Sequence, residues 1–279
     1  MTLFDIEAYK GRIDEAAHAI AERFPEGPRI GIICGTGMGG LAEKVLERTV
    51  IPYDDIPHFP ISTVESHHGN LILGRLAGRR VAVMQGRFHY YEGYTMREIT
   101  FPVRVMKALG CEMLIVMNAV GSMNPLIGRG SLVLVDDHIN LMGDNPLIGP
   151  NDEALGPRFP DMSAPYDAPL RALMHEVALA EGIRLHDGVI VAVTGPNLET
   201  RAEYAMFRVL GADIVTMSTV PEIIVAHHAG LRAIALSTVT DECYPDALEE
   251  AKLEEIIAVA QAAEPRLEKL ITGLLSRLD

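Results

Sequence analysis

The sequence predicts an α/β fold in one domain spanning residues 1–279. Three observations lead there. Short apolar runs of strand length alternate along the chain with stretches whose apolar residues recur at helical spacing. Several of those runs end in small, polar, glycine-bearing loops, as after Cys34, Met84 and Met117. No internal repeat or low-complexity linker divides the chain, and 279 residues with 48% hydrophobic content suffice for one large core.

The elements follow in order. Residues 3–23 space Phe4, Ile6, Ala16 and Ile20 among charges as an amphipathic helix does, and Pro25-Glu26-Gly27-Pro28 stops it. Residues 29–34 are the first buried strand. Gly35-Thr36-Gly37-Met38-Gly39-Gly40 follows, then a helical stretch at 41–45, so the three together predict a backbone cradle for phosphate at a helix N-terminus. The same six residues satisfy G-x-G-x-x-G. A dinucleotide fold, however, needs a second buried strand where this chain places Pro52, Pro57 and Pro60, so phosphate is favoured over a nicotinamide cofactor. A polar loop carries His67 and His68; strands at 71–73 and 81–84 flank a turn at Gly78.

Residues 95–109 read as a helix, 113–117 as a strand running into Asn118-Ala119, and 132–135 as another strand. A long irregular stretch at 136–169 is of a length that usually serves function, and its Phe159 is a candidate lid, subunit-boundary aromatic or local anchor. Further helices fall at 167–182, 200–210 and 221–229, and further strands at 188–193, 212–218 and 231–241. From 249 onward Leu253, Ile256, Ile257, Leu267 and Leu270 follow helical spacing, with Pro265 expected to break or kink the helix.

Composition removes several functions. With 38 Asp and Glu against 24 Lys and Arg the net charge is -14, so no basic face is available for nucleic acid or an anionic membrane. Any anion site must therefore be local. Three widely spaced cysteines offer neither a disulfide framework nor a C-x-x-C metal pattern, no run approaches the roughly 20 apolar residues that span a bilayer, and the N-terminus lacks a signal-peptide pattern. A cytoplasmic protein without a metal site is expected.

The richest stretch is Gln85-Gly86-Arg87-Phe88-His89-Tyr90-Tyr91-Glu92-Gly93-Tyr94, where a strand ends. Arg87 and His89, at i and i+2, offer convergent donors to an anion, and the tyrosines offer a pocket wall. Other polar strand ends are Thr36, Asn118 with Ala119, Glu199, Met217 with Ser218, and Asp241. Together they read as one site assembled from several loops.

Those motifs, with Gly156-Pro157-Arg158-Phe159-Pro160, Gly195-Pro196-Asn197-Leu198-Glu199-Thr200 and Met217-Ser218-Thr219-Val220-Pro221-Glu222, resemble the trimeric purine nucleoside phosphorylase family over essentially the whole chain. The resemblance implies a mixed, partly barrel-like sheet flanked by helices. It implies phosphorolysis of a purine nucleoside by inorganic phosphate, to free base and ribose 1-phosphate, with no metal or organic cofactor. Thr36, His67, Arg87, His89, the backbone at Ala119 and Ser218 would hold phosphate; Tyr91 and Met217 would contact the ribose. Glu199 would bind the base edge, Leu198 would lie where the base stacks, and Asp241 would sit near N7 and the six-position substituent. Phe159 would reach over the ribose of a neighbouring subunit of a homotrimer. His89, Glu199 and Asp241 form the expected catalytic set.

Residue chemistry agrees. Glycosidic cleavage passes through an oxocarbenium-like state that a phosphate anion stabilises and captures, and a donor near N7 eases departure of the purine. A Glu199 carboxylate accepts from N1–H of a 6-oxopurine, which favours inosine and guanosine. Two positions depart from the family pattern. Asp241 stands where Asn is frequent, and the expectation is a protonated Asp241 that donates to N7, because Glu199 and phosphate crowd it. Leu253 stands where many members place a His for the sugar 5-prime hydroxyl. These two support a methylthioadenosine phosphorylase-like alternative, which Glu199 opposes. A non-catalytic nucleoside- or phosphate-binding protein is the alternative of another class, and it has no need of Arg87, His89, Glu199 and Asp241 together.

Overall fold

A computed structural model of the chain describes residues 4–61 and 69–278. Its strands are β1 (Ile30–Cys34), β2 (Leu46–Pro52), β3 (Asn70–Leu76), β4 (Arg79–Gln85), β5 (Met113–Ser122), β6 (Leu132–Asn140), β7 (Leu185–Ala192), β8 (Ile214–Thr216) and β9 (Arg232–Glu242). They form one mixed sheet in the order β2-β3-β4-β1-β5-β8-β7-β6-β9, and β9 pairs again with β5. Strands β5, β8, β7, β6 and β9 therefore close into a barrel from which β1 to β4 extend as a wing. The expected mixed, partly barrel-like sheet is what the chain forms.

The helices are α1 (Ile6–Arg23), α2 (Met96–Ala108), α3 (Ala168–Ala180), α4 (Arg201–Val209), α5 (Val220–His228) and α6 (Leu253–Arg277). One face of the sheet buries Ile13, Ile20, Phe101, Val105, Ile223 and Ile224 from α1, α2 and α5. The opposite face buries Leu170 and Met174 of α3 with Leu267, Leu270, Ile271 and Leu274 of α6. Tyr204 and Phe207 bring α4 onto the barrel beside Val191 and Val215. No helix among the described residues is long and apolar enough to cross a membrane.

Several boundaries differ from the sequence reading. The helix expected at 41–45 is a 3₁₀ turn, Gly39–Lys44. Strand β2 went unread because its one buried residue, Ile51, hides among exposed ones; it is an edge strand paired antiparallel to β3 alone, which is where its Pro52 is tolerated. Strand β6 runs on to Asn140 through Asp136 and Asp137, both exposed. Helix α6 begins at Leu253 and passes through Pro265 unbroken, held by the buried stripe that follows.

Register sets the site. Strand β1 lies parallel to both β4 and β5, pairing Cys34 with Gln85 and Ile33 with Val116, so the loops at Gly35 and Gly86 leave the sheet beside Asn118, from which β5 runs on to Ser122 rather than ending as the sequence suggested. Gly35 must lack a side chain: a Cβ there would lie 2.8 Å from the Met117 carbonyl oxygen and 2.9 Å from Asn118 Cα. Pairing of β5 with β9 slips between Val120 and Gly121, so that Gly121 stands opposite Asp241.

Candidate active site

One cavity lies where those loops leave the sheet. Thr36, Arg87, His89, Ala119 and Ser218 line its cationic side, while Leu198, Glu199 and Asp241 line a carboxylate side, with Tyr91 and Met217 also on its wall. Ten of the expected site residues are thus brought together by strands and loops far apart in sequence.

On the cationic side Arg87 is 2% exposed. Its Nη1 donates to Ser218 Oγ at 2.8 Å and to Thr219 Oγ1 at 3.3 Å, and its Nε lies 3.3 Å from Oε1 of Glu222, itself 3% exposed on α5. A buried guanidinium needs such a counter-charge. Ser218 is fixed from behind: its backbone N–H donates to Thr216 Oγ1 at 3.2 Å, and Thr216 Oγ1 accepts from Asn118 Nδ2 at 3.0 Å. Ser237 Oγ donates in turn to Asn118 Oδ1 at 2.7 Å.

The residue that turns the chain here is Thr219, at φ 69° and ψ -55°. The Val220 N–H donates to the Ser218 carbonyl at 2.7 Å, so Thr219 is the centre of a γ-turn. A β-branched residue at this φ stores on the order of 1–3 kcal/mol, and Arg87 on its hydroxyl is one of the contacts that hold it. Gly86 and Gly93 bracket the Arg87-His89 run at φ 113° and 96°, as their residue type allows.

His89 is buried, and its backbone N–H donates to Glu92 Oε1 at 2.7 Å while Nδ1 lies 3.1 Å from the same oxygen. The carboxylate thus sets the ring's orientation. Tyr91 stacks on that ring at 4.7 Å between centroids, and burial pushes its hydroxyl up to about 12. The other two tyrosines do not wall the cavity. Tyr94 OH donates to the Ile61 carbonyl at 2.8 Å and packs against Phe88, and Tyr90 joins the core cluster of that face.

The glycine loop contributes Gly35 and Thr36, but not the helix N-terminus expected of it. The Gly40 N–H is already given to Glu264 Oε1 at 2.6 Å, and the helical piece is a single 3₁₀ turn. His67 lies outside the described residues.

On the carboxylate side Glu199 directly precedes Thr200, whose side chain accepts from the Glu203 N–H while Glu203 Oε2 accepts from the Thr200 N–H at 2.7 Å. That capping box fixes the exit of the chain from Glu199. Desolvation, aided by the Asp241 charge and opposed by a hydrogen bond from Tyr204, raises the Glu199 carboxyl above the usual carboxylate range. Asp241 accepts on both oxygens, from Thr240 Oγ1 at 2.8 Å and from Cys243 Sγ at 3.0 Å. These two contacts fix the orientation of the carboxyl group at the cavity wall. A second cavity adjoins here, sharing Leu198, Glu199, Tyr204 and Asp241.

Two expected residues stand apart. Phe159 is 87% exposed, with its Arg158 guanidinium 5.4 Å over the ring, so it does not anchor its own loop. The loop is tied down instead by Arg104 Nη1 to the Leu155 carbonyl and His227 to the Asp161 carbonyl. Leu253 is 66% exposed at the first position of α6, and Ile256 is the residue of that helix on the cavity wall. Glu92 was legible in the R-x-H-x-x-E run, whereas Glu222, Tyr204 and Cys243 had no such signal. Among the described residues no group of three or more His, Cys, Asp or Glu side chains gathers as a metal site would.

Comparison with known proteins adds a third line of argument. The family model described as the phosphorylase superfamily matches residues 29–276. The chain is 56% identical over 229 residues to purine nucleoside phosphorylase 1 of Geobacillus stearothermophilus, covering 82% of this chain and 84% of that one. It is 47% identical to purine nucleoside phosphorylase 1 of Bacillus subtilis, covering 97% and 100%. The solved structure of Schistosoma mansoni purine nucleoside phosphorylase in complex with inosine superposes with a TM-score of 0.92 at 41% identity, over 96% of this chain and 97% of that one.

Proposed function

This chain belongs to the phosphorylase superfamily, and within it to the purine nucleoside phosphorylases; on that premise we propose how its own residues divide the work. It catalyses phosphorolysis of purine nucleosides, a pentosyl transfer. The observation that carries the assignment of roles is that a buried arginine and a pair of carboxylates line one cavity.

Arg87, Ser218, Thr36, His89, the backbone at Ala119 and His67 hold phosphate. Arg87 supplies a fixed fork of charged donors, and Ser218 a hydroxyl whose position Arg87 and Thr216 already set. Phosphate then lies under the sugar, stabilises the oxocarbenium as the glycosidic bond lengthens, and forms the new C–O bond. His89 acts as a donor oriented by Glu92. Tyr91 and Met217 meet the ribose, and Leu198 meets the face of the base.

Glu199 accepts from N1–H of a 6-oxopurine, which makes inosine and guanosine the preferred substrates. Asp241 accepts at the N7 and six-position side, from the N7–H of a base that takes a proton from solvent water at N7 as the glycosidic bond breaks and so leaves neutral. Phosphate is the nucleophile, so the reaction runs without metal or organic cofactor. The exposed Phe159 completes the ribose site of a neighbouring subunit, so the working unit is a homotrimer. The protein acts in the cytoplasm as one nucleoside phosphorylase domain over residues 1–279.

The test is phosphate-dependent release of base from inosine, guanosine and methylthioadenosine in parallel, with Asp241→Asn beside the parent. Turnover of inosine and guanosine but not methylthioadenosine supports the assignment to Glu199. Preference for methylthioadenosine would transfer the substrate assignment to Asp241 and Leu253.

A further inference from the structure

We propose that Glu264, on α6, is a positioning residue for the phosphate end of the cavity: it holds the glycine loop at 35–40 in the shape that presents Thr36. The proposal rests on assigning that loop to phosphate. Glu264 does not itself line the cavity, and it was not among the residues expected from sequence.

The loop enters the 3₁₀ turn Gly39–Lys44 without a cap of its own. Met38, the residue at the cap position, makes no side-chain hydrogen bond to the turn, so the first N–H groups must find an acceptor elsewhere. Glu264 supplies it from 224 residues away: the Gly40 N–H donates to its Oε1 at 2.6 Å. A carboxylate there meets the positive end of the aligned peptides, and a hydrogen bond to a charged acceptor is the stronger kind. One helical turn further along α6, Glu268 Oε1 lies 3.5 Å from Nζ of Lys44, the last residue of the 3₁₀ turn. Two acids one turn apart on α6 thus grip both ends of that turn.

Packing fixes the rest of the loop against the same helix. A Cβ on Gly37 would lie 2.8 Å from Ala260 Cβ and 3.3 Å from the Ile257 carbonyl oxygen, so the loop meets α6 one turn before Glu264. Met38, Leu41 and Ala42 are buried with Ala260, Ala263 and Leu267. On the other flank Gln85 Nε2 donates to the Gly39 carbonyl at 3.3 Å. Thr36 therefore hangs between Gly35, pressed on Met117 and Asn118, and a turn whose first N–H groups Glu264 holds; a shift of the turn carries the Thr36 hydroxyl with it. Gly40 offers a clean way to break the bond. Its φ is not positive, so alanine is allowed there, and the three atoms nearest an added Cβ all belong to the Glu264 carboxylate: Oε2 at 2.8 Å, Cδ at 3.0 Å and Oε1 at 3.0 Å. The new methyl displaces that side chain and meets nothing closer.

The experiment is a double-mutant cycle of Glu264→Ala and Gly40→Ala, read as KM for phosphate and KM for inosine, each with the other substrate saturating. Each single change should raise KM for phosphate about tenfold, the scale of one hydrogen bond to a charged group. The double variant should show about the same tenfold and not the hundredfold that independent effects give, because the methyl then has no carboxylate to displace. Glu264→Gln keeps an acceptor oxygen and should recover most of the loss. KM for inosine should stay within about twofold throughout, a split that general loosening of the fold would not give. An unchanged KM for phosphate in both single variants, multiplicative effects in the double one, or an equal rise in both KM values would overturn the positioning role while leaving the phosphorylase intact. A parent that releases no base from inosine with phosphate would overturn the functional reading and this proposal with it.

Discussion

On the cationic side of the cavity the side chains are buried and braced chiefly by partners from distant elements, Arg87 against Glu222 and Ser218 and Thr216 against Asn118, with Ser218 tied also to Thr216 two residues before it. On the carboxylate side Glu199 and Asp241 are held by neighbours close in sequence and open onto a second cavity. The contrast follows from what each side is asked to bind. Phosphate is small, symmetric and of one shape, so a site for it gains from being rigid and dry. A nucleoside must enter and its base must leave, so the other side cannot be closed in the resting chain. Damage to the first should therefore injure fold and phosphate binding together, and damage to the second should impair use of the nucleoside while leaving the fold intact.

The sharpest way to break that contrast is Glu222→Ala. It strands a guanidinium in a dry site without its ion-pair partner, a loss that costs about 3–5 kcal/mol. Urea unfolding should show a clearly lower midpoint, and KM for phosphate should rise in the same protein. An unchanged midpoint would mean that the two sides are braced alike.

Next in size is Glu199→Gln. The amide can no longer offer a full carboxylate to N1–H, and kcat/KM for inosine should fall by about 10²–10³, the range for losing a charged hydrogen-bond partner in a reading site. Stability and KM for phosphate should hardly change. If KM for phosphate moved as far as kcat/KM for inosine, the separation of the two sides would be lost.

Phe159→Ala comes third, since it tests whether the open side is completed by another chain. Its expected cost is about tenfold in KM for inosine, the scale of one aromatic contact removed. Co-expressing Phe159→Ala with Glu199→Gln subunits should give mixed oligomers in which some sites have both residues intact. Activity above that of either variant alone supports a shared site. Activity equal to the average of the two would confine Phe159 to its own subunit or to no site.

How far this was visible beforehand also divides along the same line. Strand cores such as 29–34 and 113–117 were legible because a buried parallel strand is a continuous apolar run, and the polar residues at their ends marked Thr36, Arg87, His89 and Asn118. Asp241 was legible as an acidic residue at the end of a buried strand, and Glu199 as one in the loop that follows another. What could not be read were the braces. Glu222 looks like any acid in the first turn of a helix, and Tyr204 like any core aromatic, until the fold sets them beside Arg87 and Glu199. Thr219 is the opposite of what its position asks, a β-branched residue at positive φ, and only the surrounding contacts allow it. The placement of Leu253 failed for a simpler reason: helical spacing gives a face but not the turn at which the helix begins.

The smallest expected effect concerns pH, and it decides whether the carboxylate side behaves as its burial requires. Glu199 must be ionised to accept from N1–H, and its carboxyl is raised chiefly by desolvation and further by Asp241. A raised acid takes up its proton sooner as pH falls, so kcat/KM for inosine should decline on the acid side at a higher pH than an ordinary glutamate would give. Phosphate protonation also weakens activity there, but it is the same in every variant. Tyr204 separates the two, because its hydrogen bond to Glu199 acts in the lowering direction. Tyr204→Phe should move the acid limb further up in pH, whereas Glu222→Gln, on the cationic side, should leave the limb in place. If neither variant moved it, the limb would belong to phosphate, and the carboxylate side would be no more desolvated than open water allows.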